Sequence, residues 1–194
     1  MLTPLKEEIA DVVIELTELT QYFDSVVYQG EEWDLSHLTP FTFKAKVPHE
    51  VTVLVIFSCH CFSHSFKRDG RSWDEIPEEE IYDDGRERRV LNPQRYQLSQ
   101  HMLRSVVLSL DERRITLADD KRGNFVTFEV EGMDYPYGVF FEVERDHKRK
   151  NRLIFRIQSA YPLEKEITQR QRKSRKINFD VLLKAAFEGR KIRP

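Results

Sequence analysis

The sequence predicts an α+β fold: an antiparallel β-sheet with helices packed on it, preceded by an N-terminal helix. Three observations predict it. Several stretches of strand length alternate apolar and polar residues, the pattern of a sheet with one buried face. One long segment after Asn92-Pro93 carries apolar residues at helical spacing instead. Strand patterns then follow one another from Arg114 to Pro162 with no helical pattern between them, the order of an α+β rather than an alternating α/β chain.

The clearest stretch is Tyr137–Pro162, two alternating strands joined by a basic turn. Val139, Phe141 and Val143 share one parity of the first strand. Leu153, Phe155 and Ile157 share one parity of the second, and Ser159 and Tyr161 continue it. Side chains two apart project to one face, so an apolar stripe is expected to run into a Ser and a Tyr. A hairpin symmetric about Arg149 sets Glu142 opposite Arg156, a favourable cross-strand pair.

From the start of the chain, Leu5, Ile9, Val12, Val13, Leu16, Leu19 and Phe23 recur at spacings of three and four, which predicts an amphipathic helix from Pro4 to about Val27. Thr3 and Pro4 suit its N-cap and first position, and Gln29-Gly30 stops it. Residues 1–30 are read as this helix, 31–40 as a linker pinned by Trp33 and Leu38, and 41–194 as a single α+β domain. Phe41, Phe43, Ala45 and Val47 alternate with polar residues, and Val51–Phe57 is apolar on both parities, a strand expected to be buried on both faces. Lys67–Asn92 reads as a long acidic surface loop closed by Arg86, Arg88 and Arg89. Asn92-Pro93 then starts a helix with Tyr96, Leu103, Val107 and Leu110 on its apolar stripe, and with Arg95 and Ser99 one turn apart. Strands are expected at 114–118 and 124–131, with a turn over 119–123. Residues 177–188 fit a strand through Ile177, Phe179 and Val181, or a helix through Phe179, Leu182, Leu183, Ala186 and Phe187.

Cys59, His60, Cys61 and His64 put four metal-capable side chains within six residues. Three readings stand side by side. Zinc is one, although its usual C-x2-4-C spacing and second ligand pair are missing. A proton-transfer role for His60 at the end of a strand is another. The third is a histidine at the core edge beside two packed thiols. A disulfide between such near neighbours would be strained. No cofactor and no metal is expected.

Charge is divided unevenly. Val139–Pro194 holds 16 Lys and Arg against 7 Asp and Glu, while the first 138 residues hold 15 against 26, within a net charge of −2. A basic end on an acidic body fits an anionic partner such as RNA, or pairing with the chain's own acidic segment or a sister copy's. Lys148, Arg149, Lys150 and Arg152 in the turn, with Arg170, Arg172, Lys173, Arg175 and Lys176 in the tail, are the candidate nucleic-acid contacts. No repeat or Gly-rich phosphate loop is present. No apolar run approaches the roughly 20 residues of a membrane span, and no secretory signal pattern opens the chain, so a cytoplasmic location without membrane contact is expected.

The segments FSCHCF, RYQLS, YGVFFEV and RLIFRIQSAY together resemble a poorly characterised group of bacterial accessory-genome proteins labelled stationary-phase growth adaptation proteins, over about Phe41–Phe187. More distantly, a helix followed by an antiparallel sheet ending in SAYP is similar to the barnase/colicin/RelE-like toxin ribonucleases. That resemblance implies a toxin-like, metal-independent ribonuclease in a growth-control or defence system. Transesterification needs an acid or base and cations for the phosphorane charge. His60 is assigned to the first role, Arg88 and Arg95 to phosphate, and Ser159 and Tyr161 to positioning. The alternative is a non-catalytic module that binds nucleic acid or a protein through the basic C-terminal face, with the N-terminal helix as a possible protein-partner or homodimer contact.

Overall fold

The structure, a computed structural model, describes residues 17–18, 23–47, 49–117 and 124–192, with the backbone alone at 17, 18 and 170. In chain order the strands are β1 (Thr17–Glu18), β2 (Val26–Tyr28), β3 (Glu31–Trp33), β4 (Phe41–Lys46), β5 (Glu50–Phe57), β6 (Ser63–His64), β7 (Ile81–Asp83), β8 (Arg88–Leu91), β9 (Arg114–Thr116), β10 (Asn124–Phe128), β11 (Tyr137–Arg145), β12 (Arg152–Pro162) and β13 (Lys176–Asn178). The α-helices are α1 (Phe66–Asp69), α2 (Pro93–Leu98), α3 (Arg104–Leu108), α4 (Gln169–Lys173) and α5 (Phe179–Phe187). Among the described residues, eight strands form one sheet in the order β1-β4-β5-β12-β11-β10-β9-β13. A hairpin of β2 and β3 and a small sheet β6-β8-β7 stand beside it.

The hairpins form where alternation predicts them. β4 and β5 pair antiparallel with Phe41 opposite Val55 and Phe43 opposite Val53. β11 and β12 pair antiparallel with Glu142 opposite Arg156, as the symmetric turn requires. One central pairing departs from an all-antiparallel sheet, because β5 and β12 run parallel, from Arg152 beside Thr52 to Ile157 beside Phe57. A parallel pair needs a long crossover, and nearly a hundred residues separate these two strands. β5 buries Val51, Val53, Val55 and Phe57 on one face, whereas Thr52, Leu54 and Ile56 are half-buried on the other. The expectation of two fully buried faces is thereby corrected.

Directly paired residues project to the same face. Phe41 and Phe155 both pair with Val55, so they share one side of the sheet, and α3 and α5 cover that side. Phe179 of α5 packs its ring 5.4 Å from Phe155, and the Arg104 guanidinium of α3 lies 4.7 Å from the Phe41 ring. The Asn92 side chain caps α2 by accepting the N–H of Arg95 at 2.9 Å, with Pro93 in the first turn. A π-helical segment, Ser99–Leu103, joins α2 to α3. Leu103, Val106, Val107 and Leu110 are buried along this run. Residues 176–187 reconcile both sequence readings, with β13 on the edge of the sheet leading directly into α5.

The expected N-terminal helix does not extend to Val27. Thr17–Glu18 pairs with Phe41–Thr42 as an edge strand, and Val26–Tyr28 pairs with Glu31–Trp33 around Gln29-Gly30, both of positive φ. Such a two-residue turn matches strand twist, so Gln29-Gly30 turns a hairpin rather than ending a helix. The part of the predicted helix at residues 1–16 and 19–22, and the turn predicted at 119–123, lie outside the described residues. Phe23, Trp33, Leu35 and Leu38 join the same buried cluster as the sheet, so 23–40 packs as part of the domain. Lys67–Asn92 is likewise more than a loop, since it supplies α1, β7 and β8. There Arg71 bridges the buried Glu80 and Asp69 at 2.7 and 2.6 Å. Among the described residues no helix is long and apolar enough to cross a membrane.

Candidate functional site

A cleft of about 1050 Å³ opens beyond the C-terminal end of β5, against the C-terminal half of β12. β5 ends at Phe57, and the Ser58 hydroxyl accepts the N–H of His60 at 3.1 Å, starting a 3₁₀ turn over Cys59–Cys61. The turn buries both thiols and leaves His60 on the wall of the cleft. Nε2 of His60 lies 2.6 Å from Oε1 of Glu87, and the other Glu87 oxygen accepts Arg89 at 3.0 Å. Burial lowers the pKa of His60 against the opposing pull of Glu87. The ring is therefore neutral at neutral pH, with Nε2–H donating to Glu87 and Nδ1 left as an acceptor. Burial raises the pKa of Glu87, but the hydrogen bond from His60 and the charge of Arg89 outweigh it and hold the carboxyl below its usual value.

Arg95 comes from the first turn of α2 and is 6% exposed. Its Nη1 donates to the carbonyls of His60 at 3.0 Å and Ser63 at 2.8 Å. The guanidinium carbon sits 4.5 Å from the centre of the Tyr161 ring, and that of Arg68 sits 4.9 Å from it. Burial, and then the charges of Arg68 and Arg89, push the Arg95 pKa down to about 10. Among the described residues no carboxylate lies within ion-pair reach of Arg95. Arg89, also buried, donates to the Ser63 hydroxyl at 2.9 Å. With Arg86 and Arg156, five arginines line the cleft.

Ser159 and Tyr161 reach the cleft by a route the alternation misses. Phe140 pairs with Ser159 but Phe141 pairs with Ile157, so Gln158 is an extra residue in β12. A bulge of one residue reverses parity beyond it. Leu153, Phe155, Ile157 and then Ala160 fill the core, each 0% exposed. Ser159 and Tyr161 instead join Arg156, Gln158 and Phe140 along the cleft. This corrects the single stripe expected from sequence.

The structure thus brings His60, Arg95, Ser159 and Tyr161 into one cleft. Arg88 is not among its lining residues; it pairs with Glu78 and lies over the Trp73 ring at 4.9 Å. Arg95 and Ser99 diverge despite their helical spacing, because Ser99 is bonded to His37 at 2.8 Å. Sequence reasoning missed Arg68, Arg89, Arg156 and Glu87. The only signal for Arg89 was its place in the Arg86–Arg89 cluster.

Of the basic residues, Lys148, Arg149 and Lys150 are exposed on the β11–β12 turn, whereas Arg152 is bound to buried Asp146 at 2.5 Å. Arg172 pairs with Glu166, Lys173, Arg175 and Lys176 are exposed, and the Arg170 side chain lies outside the described residues. Lys176 shares a row across the sheet with Thr116, Phe125, Phe140 and Ser159. The turn begins beyond Arg145, five residues further along β11, so the sheet register does not set the two basic groups side by side.

Cys59 Sγ, a ring nitrogen of His60 and a Glu87 oxygen lie within 4.8 Å of one another, and Asp84 accepts from Cys59 at 3.5 Å. These residues could hold a metal only if the Cys59 thiol ionised, and burial pushes its pKa up to about 12. Glu87 is also already engaged by a guanidinium. Cys61 and His64 do not join this group, since His64 is bonded to Asp69 at 3.1 Å.

The YjaZ family model matches residues 25–187, and the chain belongs to that family. No curated protein and no solved structure matches it.

Proposed function

We propose that this member of the YjaZ family is a metal-independent ribonuclease of toxin-like, growth-controlling type. The observation that carries the reading is Arg95, a buried cation with no carboxylate in ion-pair reach among the described residues, set against the His60 backbone within a cleft of five arginines. Burying a charge without a counter-ion is costly, and an anionic ligand removes that cost. A phosphodiester is the anion for which the neighbouring His60–Glu87 pair has a use.

In this reading the phosphate lies on Arg95 with Arg68 and Arg89 close by, so their charge meets the negative charge that develops at phosphorus. Glu87 fixes the ring of His60, whose Nδ1 accepts the proton of the 2′-hydroxyl. The 2′ oxygen bonds to phosphorus, the bond to the 5′ oxygen breaks, and that oxygen takes a proton from water, whose hydroxide recovers the proton held by His60. A 2′,3′-cyclic phosphate and a 5′-hydroxyl result. RNA is required because the nucleophile belongs to the substrate. Tyr161 and Ser159, turned into the cleft by the bulge, position the strand.

Purified protein is expected to cleave cellular RNA in EDTA, leaving cyclic phosphate ends, and its expression to slow growth. His60→Ala should abolish both while still folding. Intact RNA after incubation with wild-type protein would sink the proposal. RNA retention without cleavage, lost on neutralising Lys173 and Arg175, would favour a binding module using the exposed basic residues.

A further inference from the structure

A second cavity, of about 330 Å³, lies against the first, and Arg68, Arg95 and Tyr161 line both. Its character differs. The main cleft adds Arg86, Arg89 and Arg156 to the shared pair, whereas the second cavity adds no further arginine and includes Asp134 and Glu164, the latter paired with Arg68 at 3.1 Å. Its other walls are the exposed ring of Tyr135, Met133 and Leu163, with Asn92, Gln94 and His64 as polar groups. Asn92 gives its carbonyl oxygen to the α2 cap, which leaves its amide N–H groups to donate. His64 is held by Asp69. A second phosphate would meet the two carboxylates there. A flat, uncharged ring with hydrogen-bonding edges would meet apolar and aromatic surface with a few polar groups, the usual way proteins take single-stranded bases.

We infer that this second cavity receives a nucleobase of the nucleotide whose phosphate lies on Arg95. The inference rests on the ribonuclease reading for the identity of the ligand, and it makes the shared Arg68–Tyr161–Arg95 cluster the boundary between phosphate and base subsites. Gln94 and Tyr135 are then specificity-determining residues, and both are exposed and outside the main cleft.

Calorimetric titration of the full chain with inorganic phosphate, ribose 5-phosphate and the four 3′-mononucleotides tests it. The best-bound mononucleotide should exceed both base-free probes by roughly tenfold to a hundredfold, the range that stacking of one base on an aromatic ring supplies. Tyr135→Ala and Gln94→Ala should bring that mononucleotide back toward phosphate and leave phosphate affinity unchanged. Phosphate binding with no gain from any base overturns this inference alone. No binding of phosphate at all overturns the ribonuclease reading and this inference together. Mononucleotide affinity unaltered in both variants would place the base elsewhere and overturn the assignment of this cavity.

Discussion

Replacing Arg95 with methionine separates a ligand-binding charge from a structural one. A guanidinium ordinarily loses its proton near 12.5, and in this site the value falls to about 10. At about 1.4 kcal/mol per pH unit, burial and the neighbouring cations cost on the order of 3 kcal/mol at neutral pH. The residue offsets this through hydrogen bonds to the His60 and Ser63 carbonyls, each worth about 1.5–3 kcal/mol when the donor is charged. The two sides nearly cancel, so Arg95→Met should lie within about 3 kcal/mol of wild type in the absence of ligand. With phosphate the two proteins diverge. At a ligand concentration of 100 times Kd, a site of this kind stabilises by about 2.7 kcal/mol. A chain of this size gains about 2–4 °C in Tm per kcal/mol, so wild-type Tm should rise by about 5–11 °C on the same arithmetic. The variant should show only the small general effect of the salt. Thermal scans of both proteins across a phosphate series measure this directly. An equal phosphate-induced rise in Arg95→Met would refute the reasoning, because the anion would then be held without the charge said to require it.

His60→Ala and Glu87→Gln should each lower kcat for RNA cleavage by about 10²–10⁴, with Tm little changed in His60→Ala but lowered in Glu87→Gln, which takes the carboxylate from buried Arg89, as single-turnover kinetics and thermal scans would show. Burial holds His37, His60 and His64 below the ordinary value of 6.5. The unfolded chain therefore takes up protons first on acidification, and stability present above pH 6.5 declines below it; denaturant titrations at several pH values should find a shallower decline in His37→Gln. The acid limb of the rate should also fall below 6.5, since His60 must be neutral to act as base. If the tail contacts single-stranded RNA, Lys173→Gln or Arg175→Gln should each flatten the slope of log K against log salt by roughly 0.7, and Arg172→Gln should do less because Glu166 already holds it. Gly138→Val should cost about 1–3 kcal/mol, read by chemical denaturation, because a Cβ there would sit 2.9 Å from Leu163 Cδ2 and 3.1 Å from Phe140 Cε2.

Alternation and capping were enough to locate β4, β5, the β11–β12 hairpin and the start of α2, because each is a local pattern whose period or end signal lies within about ten residues. The pairing of Glu142 with Arg156 followed from symmetry alone. The small sheet of β6, β7 and β8 escaped because its strands are two to four residues long and charged. Arg89 and Glu80 are buried there because Ser63 and Glu87 accept from Arg89 while Gln29 and Arg71 donate to Glu80. The helical spacing near the N-terminus misled at Thr17–Glu18 and Val26–Tyr28, where edge pairing with β4 and a tight turn override a weak local preference.

By itself the sequence determined which residue types were present to build a site: a histidine at the end of a buried strand, an arginine one turn into a capped helix, and a Ser and a Tyr at the end of the last long strand. Only the tertiary structure decided that they meet. Two features did this, the parallel pairing of β5 with β12 across nearly a hundred intervening residues and the extra residue at Gln158. A strand has a side-chain period of two, so one added residue turns Ser159 and Tyr161 from the core face to the cleft. That reversal depends on register with a partner strand, which alternation within a single strand does not encode.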